Sequence, residues 1–493
     1  MAEQAILVLD AGTTSTRAIL YDAAGLRLGL AQEEITQHYP RPGWVEHDAA
    51  EIWERTLRCM RRVAAQASGV HRIGCIGITN QRETVVAWDR KSGEPLARAI
   101  VWQDRRTEPQ CAALRETGHE EKLQRRTGLV LDPYFSATKM RWLLEHKPAV
   151  AAAARSGRLA FGTVESWLLF KLSGGAFLTD ASNASRTLLL PLDGAQFADD
   201  LCGMFDVPRS ALAEVVDSAG VLARTDSALL GTAIPVTGMA GDQQAATIGQ
   251  GCLAAGDTKA TFGTGAFVLT NQGADVPHSR HRLLGTVLYQ LAGSRTYALE
   301  GAVFVAGSLV QWLRDALGVI ASASETEALA RSVEDSGGVV VVPALAGLGA
   351  PHWRPDATAV ISGLTFASGR AHLARAALES MAHQTHDLAE AFAADGARWA
   401  RLRIDGGMSA NDWLAQDISD ILRLPVERPE DVETTARGAA MLAAAGAGIY
   451  PSLKAAADAM LAPAVRFNPL LSAAARDRRL SDWRAALNAA LAQ

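Results

Sequence analysis

The sequence predicts an α/β fold in which strands and helices alternate along the chain. Residues 5–9 form a continuous apolar run of strand length that ends at Asp10, whereas residues 52–64 carry apolar side chains at helical spacing. A strand, a Gly/Thr turn and a second strand occur at residues 5–21 and again at residues 258–270. The length of 493 residues corresponds to two or three domains of about 100–200 residues each.

The first half of the chain is predicted to begin with a β-hairpin. The apolar runs at residues 5–9 and 18–21 are separated by a short Gly/Thr/Ser segment, which is typical of two strands joined by a turn. Residues 73–79 and 84–88 are strand-like and flank a polar segment at residues 80–83. Residues 139–144 have helical spacing, and residues 208–237 consist mostly of turns and short elements.

The second half is predicted to repeat the strand–turn–strand pattern and then to become mainly helical. Residues 258–262 and 266–270 are strand-like around a turn at 263–265, and residues 371–392 are a long helix candidate. Residues 401–405 have a strand pattern before the Gly406-Gly407 turn, and the helix expected from Asn411 has one apolar face. The glycine-rich segment 249–256 places the predicted domain boundary between residues 1–250 and 251–493.

The composition excludes several classes of protein. A hydrophobic content of 48% is ordinary for a globular chain and excludes disordered, collagen-like and coiled-coil proteins. A net charge of −5 gives no electrostatic reason to expect nucleic-acid binding. Five scattered cysteines without CxxC spacing favour a reducing compartment. With no targeting segment and no apolar run of spanning length, we expect a cytoplasmic location without membrane insertion.

The first turn is a candidate phosphate and metal site. The chain has no GxxxxGK[ST] motif, no strand–GxGxxG–helix unit and no protein-kinase signature set, so these phosphate-binding devices are excluded. Asp10 ends a strand, where its carboxylate can hold Mg²⁺ directly or through water. Thr13, Thr14 and Ser15 offer hydroxyl and backbone N–H groups, and Arg17 can neutralise phosphate charge. An ordinary hairpin with polar turn residues is the alternative.

Two further clusters can carry chemistry. Asp242 follows the strand-like residues 234–239 on a glycine-flanked turn, where it can act as a general base or merely cap the next helix. Arg82 and Glu83 can bind hydroxyl groups as donor and acceptor, beside an apolar wall formed by Trp102. A surface ion pair and a core tryptophan are the alternative interpretation of that cluster.

The motifs taken together resemble the FGGY carbohydrate kinases, and within them the members that phosphorylate glycerol. The resemblance runs from about Leu7 to Tyr450. Its strings are LDAGTTSTR (9–17), PGWVEHD (42–48), GITNQRET (77–84), AIVWQDRRT (99–107), DPYFSATK (132–139), TDASNASRT (179–187), GMAGDQQAA (238–246), FGTGAFVL (262–269), ALEGAVFVAG (298–307), GLGAP (347–351) and DGGMSAND (405–412).

The resemblance implies two actin-like (RNase H-like) ATPase domains that flank a catalytic cleft. It implies ATP-dependent phosphorylation of glycerol to sn-glycerol 3-phosphate with Mg²⁺, the first step of glycerol catabolism. Asp242 corresponds to the family's catalytic base, and Asp10 to the aspartate associated with Mg²⁺. The implied polyol pocket comprises Arg82, Glu83, Trp102, Tyr134, Asp242, Gln243 and Phe267. The implied nucleotide contacts are Thr13, Thr14, Ser15, Arg17, Thr264, Gly307, Gln311, Gly407 and Asn411.

Two other functions compete with this interpretation: an FGGY kinase for another small polyol or ketose, and a non-catalytic actin-like ATP switch. The resemblance also implies a homodimer or homotetramer. Some members carry a phosphorylatable histidine before the GMAGDQQ string or bind fructose 1,6-bisphosphate through a Gly/Arg loop. Residues 221–237 contain no histidine and residues 229–233 no arginine, so we expect both controls to be absent.

Overall fold

Two mixed β-sheets organise the chain, whose computed structural model describes residues 3–67 and 71–493. The strands are β1 (Glu3–Ala11), β2 (Ser15–Tyr21), β3 (Arg27–Glu34), β4 (Glu46–His47), β5 (His71–Asn80), β6 (Val86–Asp89), β7 (Ala99–Ile100), β8 (Leu159–Gly162), β9 (Leu178–Asp180), β10 (Glu214–Val216), β11 (Ala219–Arg224), β12 (Pro235–Gly241), β13 (Thr258–Phe262), β14 (Ala266–Gly273), β15 (Leu284–Leu291), β16 (Ser294–Val303), β17 (Val340–Val342), β18 (Val360–Ser362), β19 (Leu402–Asp405), β20 (Val426–Pro429) and β21 (Ala464–Phe467).

Helices cover the sheets and connect their strands. They are α1 (Ala49–Ala67), α2 (Glu108–Glu116), α3 (Glu120–Thr127), α4 (Ser136–His146), α5 (Pro148–Arg155), α6 (Val164–Ser173), α7 (Ala181–Ala184), α8 (Asp199–Met204), α9 (Ser227–Leu230), α10 (Asp242–Gly249), α11 (Gly307–Asp315), α12 (Glu325–Arg331), α13 (Arg370–Ala394), α14 (Asp412–Leu422), α15 (Thr434–Gly446), α16 (Leu453–Met460) and α17 (Ala473–Leu491), with short 3₁₀ turns at Arg209–Ala211 and Gly407–Ala410.

The two large sheets share the same arrangement of six strands, and the second sheet adds β15 at one edge. The first has the strand order β11-β12-β5-β1-β2-β3, and the second has β15-β16-β14-β13-β19-β20-β21. In the first sheet β1 pairs antiparallel with β2 and parallel with β5; in the second β13 pairs antiparallel with β14 and parallel with β19. The predicted α/β fold is therefore confirmed, and the strand–turn–strand repeat begins both sheets.

The predicted elements match the observed ones except where backbone geometry interrupts a pattern. Strand β6 begins at Val86 rather than at residue 84, and Glu83, directly before the expected start, has a φ of 59° outside the strand region. The helix expected from Asn411 begins at Asp412, and the Asn411 side chain accepts a hydrogen bond from the backbone N–H of Leu414. Apolar runs alone do not reveal such local changes.

The halves of the chain are joined by close packing of helices α10 and α15. A Cβ added at Gly249 would overlap the carbonyl oxygen of Thr434, and one added at Gly438 would overlap that of Ala245. Small side chains of α15 and α16 then bury against β1 and β2 of the first sheet. The domain boundary near residue 250 remains a prediction. Helices α15 and α16 follow this position in the chain but pack on the first sheet.

None of the helices in residues 3–67 and 71–493 is both long enough and apolar enough to cross a membrane.

We expect Gly438→Ala to destabilise the protein because the new methyl group would overlap backbone of α10. Overpacking of this kind lowers the free energy of unfolding by about 1–3 kcal/mol, measurable by urea denaturation. Gly203→Ala is the matched control, since Gly203 lies in helix α8 with open space around it and should gain up to about 1 kcal/mol. Equal effects of the two substitutions would contradict the close packing.

Candidate active site

Eight side chains line one small pocket between the two halves of the chain. They are Thr13, Arg82, Glu83, Trp102, Tyr134, Asp242, Gln243 and Phe267. All seven residues expected to form a polyol site are among them. The space among these side chains, including the solvent at the pocket mouth, is about 240 Å³. The pocket therefore suits a small polar molecule.

Parallel strands bring the charged residues of the pocket together. Strand β5 ends at Asn80 just before Arg82, and its parallel neighbour β12 ends at Gly241 just before Asp242. The Nε atom of Arg82 consequently lies 3.4 Å from the Oδ1 atom of Asp242. Because the carboxyl ends of parallel strands lie at one sheet edge, this pairing follows from the topology.

A buried charge cluster supports the pocket from behind. Arg82 Nη1 donates to Glu300 Oε2 at 2.5 Å, and Arg186 donates to Glu300 Oε1 at 2.9 Å and to Glu83 Oε1 at 2.7 Å. These four side chains are at most 2% exposed. Burial alone would raise the pKa of Glu300, but Arg186 and Arg82 lower it to about 2. The interpretation of Arg82 and Glu83 as a surface ion pair is therefore wrong.

Three aromatic rings form the apolar side of the pocket. The ring centroid of Trp102 lies 5.7 Å from that of Tyr134 and 6.2 Å from that of Phe267. The indole N–H of Trp102 donates to Thr13 Oγ1 at 2.9 Å, which ties this wall to the first turn. Burial raises the pKa of Tyr134, so its hydroxyl stays protonated at neutral pH. Trp102 is thus a half-buried wall residue rather than a core tryptophan.

Asp242 is the pocket carboxylate best placed to take a proton. It is the first residue of α10, after the cap position at Gly241, so the alternative of a helix-capping aspartate is wrong. Its side chain is 30% exposed. The surrounding protein raises the pKa of Asp242 to about 6 by desolvation, against the lowering effect of Arg82 and Lys259. A carboxylate with this pKa is ionised at neutral pH and suited to general-base chemistry.

The first turn contains a cross-strand ion pair. Asp10 on β1 lies opposite Arg17 on β2, and Arg17 Nη2 donates to Asp10 Oδ2 at 2.5 Å. Arg17 Nη1 also donates to Glu433 at 2.6 Å. Thr13 and Ser15 are half-buried in the turn and Thr14 is exposed, which leaves their polar groups accessible. The sequence did not predict that Glu433 pairs with Arg17.

The predicted nucleotide residues of the second half meet at the second turn. The backbone N–H of Gly307 donates to Gly263 O at 2.9 Å, and that of Ser308 donates to Thr264 O at 3.1 Å. A Cβ added at Gly307 would lie 2.5 Å from Gly263 O and 3.1 Å from the side chain of Met408. Helix α11 therefore starts directly against the second turn and beside the Gly406-Gly407 turn.

The remaining predicted contacts lie around this junction. Gly406 has a φ of 85°, and a Cβ there would lie 2.5 Å from the carbonyl oxygen of Phe262, so the chain passes close to the end of β13. Gly407 and Gln311 are exposed. Asn411 is half-buried, and its Nδ2 donates to Thr326 Oγ1 at 3.4 Å besides its capping bond. The structure thus brings Thr264 and Gly307 together at the second turn, with the Gly406-Gly407 turn beside them.

Three buried charged residues near the pocket were not nominated from the sequence. Glu300 lies in strand β16, Arg186 follows α7, and Lys259 lies in β13. All three side chains are fully buried. The mostly apolar stretch 297–303 around Glu300 was the available signal for that residue, whereas nothing local distinguishes Lys259 or Arg186 from a surface charge.

The fold and the pocket define a kinase of small hydroxylated substrates, and the comparisons identify its family. The N-terminal domain model of the FGGY family of carbohydrate kinases matches residues 5–249, and the C-terminal domain model matches residues 258–447. The chain belongs to this family.

Several relatives carry a more specific name. The glycerol kinase of Rhodospirillum centenum is 52% identical over 98% of this chain and 97% of its own length. The glycerol kinase of Alkalilimnicola ehrlichii is 52% identical over 99% and 98% of the two chains. Among solved structures, Plasmodium falciparum glycerol kinase with ADP has a TM-score of 0.93 at 35% identity, covering 100% of this chain and 99% of its own. The resemblance found from the motifs is confirmed.

We expect Glu300→Gln to destabilise the protein strongly, because it leaves the buried guanidinium groups of Arg82 and Arg186 without their shared anion. Removing one partner of a buried charge pair costs about 3–5 kcal/mol of unfolding free energy, measurable by urea denaturation. Glu327→Gln removes an ion pair with Arg331 on helix α12 and should cost less than about 1 kcal/mol. A similarly small effect at Glu300 would contradict its role in the cluster.

Proposed function

We propose that the protein transfers the γ-phosphoryl group of ATP to a terminal hydroxyl of glycerol, giving sn-glycerol 3-phosphate. The observation that carries this proposal is the position of the Asp242 carboxylate at a pocket lined by hydroxyl-binding groups and three aromatic rings. The names of the relatives at about half identity support the choice of glycerol.

Glycerol has the polarity that this pocket can satisfy. Its hydroxyl groups need donors and acceptors, which Arg82, Glu83, Tyr134 and Gln243 provide along one side. Its C–H face needs apolar contacts, which the rings of Trp102 and Phe267 provide. The small pocket leaves little room for a longer chain, although one extra carbon changes selectivity by only about 1–3 kcal/mol.

Asp242 would act as the general base. As the glycerol oxygen forms its bond to the γ-phosphorus, the hydroxyl proton passes to the carboxylate of Asp242 and the bond to the β-phosphate oxygen breaks, releasing ADP. Phosphoryl transfer depends mainly on positioning and charge neutralisation, because its transition state is loose. The two halves around the pocket would exclude water, which otherwise competes as an acceptor.

The two turns would hold the nucleotide. Backbone and hydroxyl groups of Thr13, Thr14 and Ser15 face the phosphates from the first sheet, with Thr264 and Gly307 on the second. Arg17 would neutralise phosphate charge, and its present partners Asp10 and Glu433 keep it at the turn. The exposed junction of α11 and the Gly406-Gly407 turn would take the adenosine. Gly407 and Asn411 would contact the adenosine, and Gln311 would make a further contact with the nucleotide.

Asp10 fits a role in holding Mg²⁺. Its carboxylate is nearly buried at the end of β1, and only its Oδ2 atom receives the two bonds from Arg17. Oxygen ligands of this kind suit Mg²⁺, which keeps several water molecules. When bound with ATP, the ion would neutralise charge on the phosphates.

We further propose that the protein is a cytoplasmic homodimer or homotetramer. All five cysteines are buried and unpaired, which agrees with a reducing compartment.

A kinase acting on a larger polyol or a ketose is the second candidate. The xylulose kinase of Rhodospirillum rubrum is 27% identical with a TM-score of 0.87, covering 99% of both chains. An assay of ADP release with glycerol, erythritol and xylulose compares the two functions directly. Faster turnover of erythritol or xylulose than of glycerol would favour the second candidate.

We expect Asp242→Asn to lower kcat for glycerol phosphorylation by about 10²–10⁴-fold, because the amide cannot accept the hydroxyl proton. ADP release coupled to NADH oxidation measures this loss. Asp458→Asn is the matched control, since Asp458 pairs only with Lys454 on the exposed face of α16. Retained turnover in the Asp242 variant would contradict its assignment as the base.

We expect kcat/KM for glycerol to fall as the pH drops through about 6. Burial raises the pKa of Asp242 to about 6, and the base works only when it is deprotonated, so activity is present above that pH and lost below it. A pH profile at saturating ATP measures the acidic limb, with thermal unfolding at each pH as the control for folding. A profile that stays flat well below pH 6 would contradict the titration of Asp242 in this step.

A further inference from the structure

Lys259 is a buried cation beside the pocket. It lies on β13 of the second sheet, and its side chain has no solvent exposure. Its Nζ atom donates to Gln243 Oε1 at 2.5 Å and to Thr261 Oγ1 at 2.8 Å. A strand of the second half thus reaches a pocket residue of the first half through one side chain.

Lys259 remains a donor at neutral pH. Burial lowers its pKa to about 8, and the carboxylates of Asp405, Asp242 and Glu300 oppose that effect while Arg82 adds to it. The ammonium group is therefore protonated at pH 7. A protonated lysine has three donor hydrogens and no acceptor. An amide group can therefore face it only with its oxygen atom.

This contact determines the orientation of the Gln243 amide. Because Oε1 must face Lys259, the NH₂ group points away from the lysine, and none of the hydrogen bonds within residues 3–67 and 71–493 uses Nε2. Gln243 lines the pocket directly after Asp242. The free donor of this amide is therefore available to a molecule in the pocket.

A polyol bound in the pocket could use the Nε2 donor of Gln243. Asp242 and Glu83 would accept hydrogen bonds from the hydroxyl groups of a bound polyol. The lone pairs of the polyol oxygen atoms then require N–H or O–H donors. The Nη1 and Nη2 groups of Arg82 already bond Glu300, Gln244 and Tyr134, and its Nε atom lies 3.4 Å from Asp242. The Tyr134 hydroxyl accepts from Arg82, and within residues 3–67 and 71–493 neither this hydroxyl nor the Gln243 amide donates to a protein group. The Gln243 amide is thus one of two neutral donors that the pocket offers to a polyol.

We propose that Lys259 is a positioning residue that fixes the Gln243 amide with its NH₂ group toward the polyol. The inference rests on the proposed function, because it assigns to Lys259 a role in recognising the same substrate. Lys259 touches no substrate itself and acts through the oxygen of Gln243.

The test measures kcat and KM for Lys259→Met, Gln243→Ala and the double variant. We expect each single change to raise KM for glycerol about tenfold, the effect of losing about one hydrogen bond. Since both act through one amide, the double variant should be no worse than either single variant. KM for ATP should stay within about twofold of the wild-type value.

Gln243→Glu tests the orientation separately and keeps the buried charge paired. The new carboxylate still accepts from Lys259, but it has no donor for the polyol, so KM for glycerol should again rise about tenfold. Thr261→Val is the matched control, because it removes only the second acceptor of Lys259 and should leave KM for glycerol near the wild-type value.

Three results would overturn the proposal. If the two increases in KM for glycerol multiply in the double variant, Lys259 does not act through Gln243. Wild-type KM in Gln243→Glu would show that the donor is not needed, even if Lys259→Met fails to fold. A wild-type protein without glycerol-dependent ADP release would contradict the proposed function and this inference together, whereas turnover with multiplying effects contradicts only the inference.

Discussion

The buried cluster of Arg82, Glu83, Arg186 and Glu300 is the interaction on which the pocket depends. Two cations and two anions lie almost entirely out of water, which is tolerable only when each charge keeps its partners. Glu300 comes from the second sheet, and the other three come from the first half of the chain. The charges are balanced only when the two halves meet, so assembly of the pocket and association of the halves are one requirement.

A second polar network fixes the strand ends that carry the pocket. Asn80 at the end of β5 donates to Glu165 and Asn183, each at 3.0 Å. The N–H of Gly241 at the end of β12 donates to Ser182 Oγ, also at 3.0 Å. Because Ser182 and Asn183 are neighbours on α7, one short helix holds both strand ends. The strand ends that precede Arg82 and Asp242 are thus held by buried hydrogen bonds to this helix and to Glu165.

The sequence was informative wherever function and local pattern coincide. Charged residues at predicted strand ends led to Asp10, Arg82 and Asp242, which lie at the ends of neighbouring strands. Glu300 could not be found in this way, because it lies 218 residues from Arg82 and the pairing depends on how the two sheets meet. The positive φ of Glu83 was also hidden, since no residue-type pattern requires it.

The hydrogen bonds of Arg82 differ in length, and this difference bears on how the proposed site would recognise a hydroxyl group. An arginine has five N–H donors, and Glu300 takes the strongest of them at 2.5 Å and 3.1 Å. The bonds to the Tyr134 hydroxyl and to Gln244 are longer, at 3.3 Å each. In the proposed function, a substrate hydroxyl would replace the bond to Tyr134 at little cost, and the released Tyr134 hydroxyl would become a second partner for the substrate. The short bonds to Glu300 would preserve the position of the guanidinium group, and the longer bond to Tyr134 would be the one that the substrate exchanges.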